Sequence, residues 1–472
     1  MNQDEQILTE PNLTKIENDL QELYDALFPL FKRREQRERA DTYLRGLLQP
    51  LLNKSVETMV LHMNELDVGD NEKEIRAMQH FISEGCWDDG AVLNKHWELV
   101  GQSMGDDDGV LIIDCSGFPK QGDNSVGVKR QWCGEVGKVA NCQVGVFVGY
   151  AAESGRTLLN RRLYMPEEWV EDEQFAERRK KCGVPSDIAF KTKPELATEM
   201  VAEIVESQHL HFRWLTADEG YGRIPTFLDD VGQYGWYFAE VPADTPVWVE
   251  RPKTEIPEWG GKGRKPTKER LVAGEPPSQT VADVIANFSP EQWHRHQIKE
   301  GSKGPIVCDM IAIRVINSRN GLPGEEVWLV CRRNLITGEI HYFLSNSPAH
   351  IELPTFAKIA GMRWPIETCF EEGKQQLGMG DYQMRSWTGW HHHMTLVILA
   401  HGFLMRMRHK FADEAPRLTL PQLVLLLKAI LPRPTYDLQS ALNIVNYYQK
   451  RHASAENSHR KRRMAQLNQR LE

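Results

Sequence analysis

Apolar residues at Ile16, Leu20, Leu23 and Leu27 recur three and four positions apart, the spacing of one helical face, and few turn residues interrupt them. Residues 1–95 therefore read as a helical N-terminal region. The rhythm changes near residue 96. A triple Asp precedes the continuous apolar run Val110–Ile113, and Cys142–Tyr150 and Leu210–Ala217 are rich in β-branched and aromatic residues, so all three read as strands. Between the last two, Leu196, Met200, Val201, Ile204 and Val205 form one face of a helix opening at Pro194. Strands alternating with a helix predict a mixed α/β core over 96–243. Pro, Gly and charge dominate 244–305, a long segment of a functional or disordered kind, with Trp248 and Trp259 flanking its basic run as either base-stacking or core residues. Strand patterns resume at Val307–Ile316, Val327–Arg332 and Ile340–Leu344, within a second part of the core at 306–405. After Pro354 the pattern is helical, with Leu420–Leu427 a buried helix and 406–472 a helical, basic C-terminal region.

Composition narrows this little: 41% of the 472 residues are apolar and 26% charged, as in ordinary globular proteins. No run of about 18 apolar residues predicts a membrane span, and the polar start shows no secretory signal. The eight cysteines contain no Cys-x-x-Cys pair, which points to reduced thiols. Charge changes the picture more. The net charge is −9, yet residues 1–110 carry 11 Lys/Arg against 23 Asp/Glu, and 401–472 carry 13 against 5. The basic end, including Arg460 and Lys461, and the basic insertion, including Arg264 and Lys265, are candidate phosphate contacts. The mixed-sign stretch Phe31–Arg39 reads as a solvent face.

The candidate chemistry lies in three acids. Asp114 ends the apolar run 110–113, and Asp218 ends Phe212–Ala217 and precedes the glycine-flanked loop Glu219-Gly-Tyr-Gly222. Glu367 follows Pro365 in the first turn of a helix, with Glu371 and Lys374 one and two turns on. Strand-end aspartates deliver carboxylates to a sheet edge, and hard oxygen donors suit Mg²⁺ or Mn²⁺. Two such ions can serve in-line phosphoryl transfer. On composition alone Glu371 and Glu372 stand beside Glu367 as candidates for the third acid. His391-His-His393 point in three directions on a helix, so no zinc site is expected. Neither a Gly-x4-Gly-Lys-Ser/Thr loop nor a Gly-x-Ser-x-Gly elbow is present, so ATP hydrolysis and serine hydrolase chemistry have no support.

Several blocks together resemble one family. They are Asp114-Cys-Ser-Gly-Phe-Pro-Lys-Gln-Gly122, Ser125-Val-Gly-Val128, Arg130-Gln-Trp-Cys-Gly134, Gly137-Lys138, Asn141-Cys-Gln-Val144 and Thr216-Ala-Asp-Glu-Gly-Tyr-Gly222. Arg363-Trp-Pro-Ile-Glu367 follows, with Lys374, Tyr382 and Arg385-Ser-Trp-Thr-Gly-Trp390. From about Tyr43 to Arg463 the chain resembles DDE transposases of bacterial insertion sequences, specifically the insertion-sequence 701 group related to the insertion-sequence 4 superfamily. The resemblance implies an RNase H-like core with a β-rich, basic insertion, flanked by helical N- and C-terminal regions. It implies that Asp114, Asp218 and Glu367 hold two Mg²⁺ ions, replaceable by Mn²⁺, with Lys120, Arg363 and Lys374 neutralising phosphate. The family pattern Tyr-x2-Arg-x3-Glu-x6-Lys favours Glu367 over Glu371, and Ala360 stands at its Tyr position. The expected function is hydrolysis at element ends followed by strand transfer into target DNA. The expected partners are terminal repeats, target DNA and a second copy, with residues 1–95 binding ends or dimerising, in the bacterial cytoplasm at the nucleoid. The alternatives are a catalytically idle DNA-binding derivative and a stand-alone nuclease.

Overall fold

The computed structural model describes residues 8–63, 68–259, 264–301, 304–431 and 437–469. Its central strands are β1 (Val110–Pro119), β2 (Lys129–Cys133), β3 (Lys138–Ala152), β4 (Gly155–Leu163), β5 (Trp214–Ala217) and β6 (Trp236–Val241). The strand β3 pairs antiparallel with both β1 and β4, while β1, β5 and β6 run parallel. The resulting order, β4-β3-β1-β5-β6, is that of an RNase H-like core. It matches the α/β expectation.

Both faces of this sheet are covered, which is why β3 is buried without interruption from Cys142 to Ala151 rather than alternating. Of five N-terminal helices, α1 (Glu10–Leu27), α2 (Arg34–Leu48), α3 (Val56–Met63), α4 (Val68–Ser83) and α5 (Asp89–Met104), α3 packs on α2 and α4 and the other four pack against the helix Trp387–Lys410. That helix is buried almost throughout and lies against β4 and α5. Arg34 and Glu38 pair at 2.7 Å on an exposed face of α2, as expected for solvent-facing mixed charge.

Past β6 the same sheet continues. Ile340–Ser345 pairs with β6, Leu322–Asn334 with that strand, and Gly304–Arg319 with the next, then Pro246–Trp248 and Gln279–Thr280. The stretch from 246 to 345 thus adds strands to the edge of the core sheet. Trp248 is buried there, its indole N–H donating to the Pro276 carbonyl at 3.1 Å, so it is a packing residue and not a stacking surface. Trp259 is exposed. The strand expected over Leu210–Ala217 is only Trp214–Ala217, because the Arg213 and Trp214 amides both turn to the Gly109 carbonyl.

The last helix, Leu438–Gln469, is tied down only in its first half. Tyr447 donates to Glu57 at 2.6 Å and Lys450 pairs with Glu72 at 2.7 Å, whereas residues 451–467 are exposed throughout.

Candidate active site

The register of three parallel strands builds the site. Ile113 lies beside Ala217, and Ala217 beside Ala239, so the next residues in line are Asp114, Asp218 and Glu240. The strand β1 does not end at Asp114, as the sequence suggested. Its antiparallel pairing with β3 runs on to Pro119, while its parallel pairing with β5 stops at Ile113. Asp114 therefore sits at the fork where one neighbour strand leaves, and its carboxylate enters the opening.

Asp218 caps the short helical turn after β5, accepting from the Tyr221 amide at 3.2 Å. Gly222 makes this turn possible, since a Cβ there would lie 2.0 Å from the Glu240 carbonyl oxygen. The Asp114 carboxylate accepts from the Cys115 amide at 2.7 Å. Burial, then the Asp218 charge, pushes the Asp114 carboxyl up to about 7, and Glu367 adds to the rise while Arg363 opposes it. Two aspartates thus face each other as an under-neutralised pair, with Glu367 a weaker electrostatic neighbour.

Glu367 lies in the first turn of the helix Pro365–Gln376, half-exposed, with Arg363 Nη1 at 3.0 Å from its Oε1. The other acids of this helix are elsewhere. Glu372 faces inward onto Arg156 at 2.6 Å and His401 at 3.1 Å, and Glu371 is exposed and accepts from Gln375. Only Glu367 of the three acts on Asp114.

The structure also brings in groups that the sequence reading missed. Glu240 Oε1 is 2.6 Å from His341 Nδ1, and its Oε2 is 3.9 Å from Arg363 Nε. Burial alone would raise the Glu240 carboxyl, but His341, Arg363 and Arg332 together hold it below the ordinary carboxylate value. Lys299 and Arg332 lie over the Trp364 ring at 4.4 and 4.9 Å. A signal for Glu240 existed: Trp236-Tyr-Phe-Ala239 followed by Glu repeats the apolar-run-then-acid pattern of the two aspartates.

The expected phosphate contacts divide. Arg363 is at the carboxylates, and Lys374 points back to β1, donating to the Gly117 carbonyl at 3.3 Å and pairing with Glu135. Lys120 lies over the Tyr382 ring at 3.4 Å, and burial lowers its ammonium to about 8. Arg264, Lys265, Arg460 and Lys461 are exposed and distributed over the insertion and the last helix. His391, His392 and His393 are all buried and point to different partners.

The donor set at the fork is carboxylate oxygen, which suits hard divalent cations, and the repulsion that lifts Asp114 is what a cation relieves. As the side chains stand, no group of three His, Cys, Asp or Glu among the described residues is close enough to hold one ion. Glu367 is engaged by Arg363 and would have to leave it to join the aspartates. A cavity of about 830 Å³ lies apart from this edge, between α5, β4 and the helix Lys193–Ser207. The aspartates are partly buried where the parallel strand pairing ends, and Glu367 beside them is half-exposed.

The family model described as DDE superfamily endonuclease matches residues 26–305, well over half of the chain. The chain belongs to the DDE superfamily of endonucleases. The matched region contains Asp114 and Asp218 and ends before Glu367, so in this superfamily member the third acid is argued from geometry. A curated relative, the probable transposase for insertion sequence element IS701 of Microchaete diplosiphon, is 29% identical over 154 residues. That match spans 32% of this chain and 36% of the relative. The structure of a piggyBac transposase synaptic complex with hairpin DNA is similar at TM-score 0.35 and 12% identity, over 92% of this chain and 82% of that one. At that distance the fold assignment rests on the strand order alone.

Proposed function

We propose that the chain is a DNA transposase. It hydrolyses a phosphodiester at an element end and then joins the freed 3′-hydroxyl to target DNA, using Asp114, Asp218 and Glu367 with Mg²⁺. The observation that carries this reading is the register that sets Asp114 and Asp218 side by side at the fork, with Glu367 and its Arg363 partner alongside. When bound there, divalent cations activate the attacking oxygen and stabilise the leaving one.

The residues supply the rest. Asp114 would hold a divalent cation as its carboxylate, so its carboxyl, raised to about 7 by burial and then Asp218, would have to be deprotonated there. Arg363 pairs with Glu367, and were Glu367 to serve a metal ion the guanidinium would be left to face the strand phosphate, a bidentate task that arginine suits. Glu240, held by His341, limits how far Arg363 can swing. Lys374 joins the catalytic helix to β1 through the Gly117 carbonyl, fixing Glu367 relative to Asp114. No side-chain nucleophile is needed, because water and then the DNA 3′-hydroxyl attack. Two ends must be held together, so a homodimer in the DNA complex completes the proposal.

The test is cleavage and joining of labelled element-end DNA in Mg²⁺ by wild type and Glu367→Gln. Cleavage and joining by wild type, abolished in the variant with DNA binding retained, supports the reading. Cleavage without joining favours the stand-alone nuclease. Binding without cleavage by wild type favours the idle derivative.

A further inference from the structure

The strand β3 is longer than the core needs. Its pairing with β1 and β4 occupies Cys142–Ala152, Asn141 still accepts from the Lys120 amide at 2.9 Å, and the remaining Lys138–Ala140 pair only with β2. The result is a two-stranded ribbon, closed by a turn at Gly134–Val136 and by Gly137 in the left-handed region (φ 60°). The ribbon curls back over β1 beside the carboxylates: a Cβ on Gly117 would lie 3.4 Å from the Cys133 Cα, and buried Cys133 packs with Val144 and Cys115. Lys374 meets both the Gly117 carbonyl and Glu135 at the turn, so the ribbon's end lies at Gly117, three residues along β1 from Asp114. At ~3.3 Å per residue the ribbon's end is therefore roughly 10 Å from Asp114 along β1.

One face of the ribbon is unusual. Trp132 is 63% exposed and its cross-strand partner Val139 49%, with Val136 exposed at the turn. Arg130, two residues before Trp132 and thus on its face, and Lys138 are exposed, and neither makes an ion pair among the described residues. The only carboxylate at the tip, Glu135, is taken by Lys374 of the catalytic helix. Three apolar side chains are too few for a stable protein interface, and the free charges around them are all positive. An aromatic between unpaired cations, on a ribbon of groove width, fits nucleic acid.

We propose that the β2–β3 ribbon is a DNA-gripping arm. Its Trp132, Val139 and Arg130 face seats in a groove of the duplex flanking the scissile phosphate, centred roughly 3 base pairs away at ~3.4 Å per pair. This rests on the transposase reading for the identity of the DNA, and on the ribbon itself for the contact. The ion pair Glu135–Lys374 then joins arm and catalytic helix, so that seating of the arm is felt at Glu367.

The experiment uses the full chain in EDTA, with end duplex titrated at several salt concentrations, hydroxyl-radical footprinting, and separate cleavage assays in Mg²⁺. Trp132→Ala should weaken binding about tenfold, with the salt slope unchanged and protection lost about 3 base pairs from the cut. Trp132→Phe should restore most of that affinity, which excludes a folding defect. Arg130→Ala should reduce the salt slope by about 0.9. Cleavage by wild type, with Trp132→Ala binding and protecting DNA as wild type does, would overturn the arm. So would a change in oligomeric state by light scattering at unchanged DNA affinity, which would make the ribbon a contact between copies. Wild type that protects the flank without cleaving would keep the arm and sink the transposase reading.

Discussion

Two regions of this molecule present three potential metal ligands each, and they differ in every physical respect. His391, His392 and His393 are consecutive in sequence and dispersed in space. His391 Nδ1 meets the Trp387 carbonyl at 3.0 Å, and His392 Nδ1 meets that of Ile82 at 2.9 Å while its ring stacks on Trp87 at 3.7 Å. His393 is held by the Tyr43 hydroxyl at 2.7 Å and the Gly378 carbonyl at 3.2 Å. Asp114, Asp218 and Glu367 are far apart in sequence and electrostatically coupled in space. The histidines are satisfied by the protein, which makes them structure. The carboxylates repel one another, which leaves them work to do for a ligand. Unmet electrostatic demand, more than clustering of ligand types, separates a site from a core.

The strongest way to break this comparison is to exchange its terms. Asp114→Asn should cost roughly a thousandfold or more in cleavage. The same change should stabilise the metal-free protein at pH 8. The Asp114 carboxyl sits near 7 when folded and at about 3.9 when unfolded, so the native state binds more protons between those values. Its contribution is fully present below about pH 4 and is lost as pH rises through 7. At pH 8 the wild type therefore carries a deficit of up to roughly 4 kcal/mol that Asn lacks. Urea titration with and without Mg²⁺ reads both effects, and Mg²⁺ should stabilise wild type alone. His393→Ala should do the reverse, losing about 2–4 kcal/mol of stability while the folded fraction cleaves normally. A large activity loss in folded His393→Ala would collapse the distinction.

The two regions also have opposite pH windows. Burial holds His96 and His392 at about 4 and His391 and His393 at about 3, below the unfolded value of about 6.5. Here the unfolded chain binds more protons, so the stability is present above about pH 6.5 and is lost as pH falls toward 4. His96 alone, whose Nε2 meets the Leu158 carbonyl at 2.9 Å, accounts for up to about 3 kcal/mol. Unfolding midpoints at pH 7.5 and 5.0 should fall for wild type and fall less for His96→Gln. Equal falls in both would remove His96 from the account.

A smaller effect belongs to the residue that stands between the aspartates and the third acid. Glu240→Gln keeps the shape but removes the charge facing Arg363 and His341. Cleavage should drop about tenfold, as for other groups that orient a ligand's partner, with DNA affinity unchanged. An equal loss in affinity would make Arg363 a binding residue that Glu240 merely supports.

Much of this was legible in the residues, for reasons that differ by element. The run Val110–Ile113 and the helical faces of 1–95 show because burial writes a period into sequence. Asp114 and Asp218 show because each follows a buried strand. The length of β1 does not show, since Ser116 and Gly117 are paired only because β3 continues beside them. Nor does the joining of 246–345 to the core sheet, which is a matter of which edge is free. Glu240 carried the same local signal as the aspartates, yet only the register Ala217–Ala239 gives it meaning. Trp248 and Trp259 look alike as sequence, and one is core while the other is exposed.

The smallest expected effect is also the sharpest test of how the helix is read. Glu371 lies one turn after Glu367, so composition and spacing alone make the two interchangeable. Their surroundings do not. Glu367 meets Arg363 at 3.0 Å and acts on Asp114, whereas Glu371 is exposed and accepts only from Gln375 at 3.1 Å on its own helix. An exposed carboxylate with a neutral helical partner contributes a few tenths of a kcal/mol at most. Glu371→Gln should therefore change cleavage by less than about twofold and leave Mg²⁺ stabilisation intact. A loss matching that of Glu367→Gln would mean that the helix slides by about one turn, ~6 Å along its axis, on loading, bringing the next turn's acid to the aspartates. Arg363 would then be holding Glu367 as a structural pair, and the third ligand would belong to the position that the static register leaves in solvent.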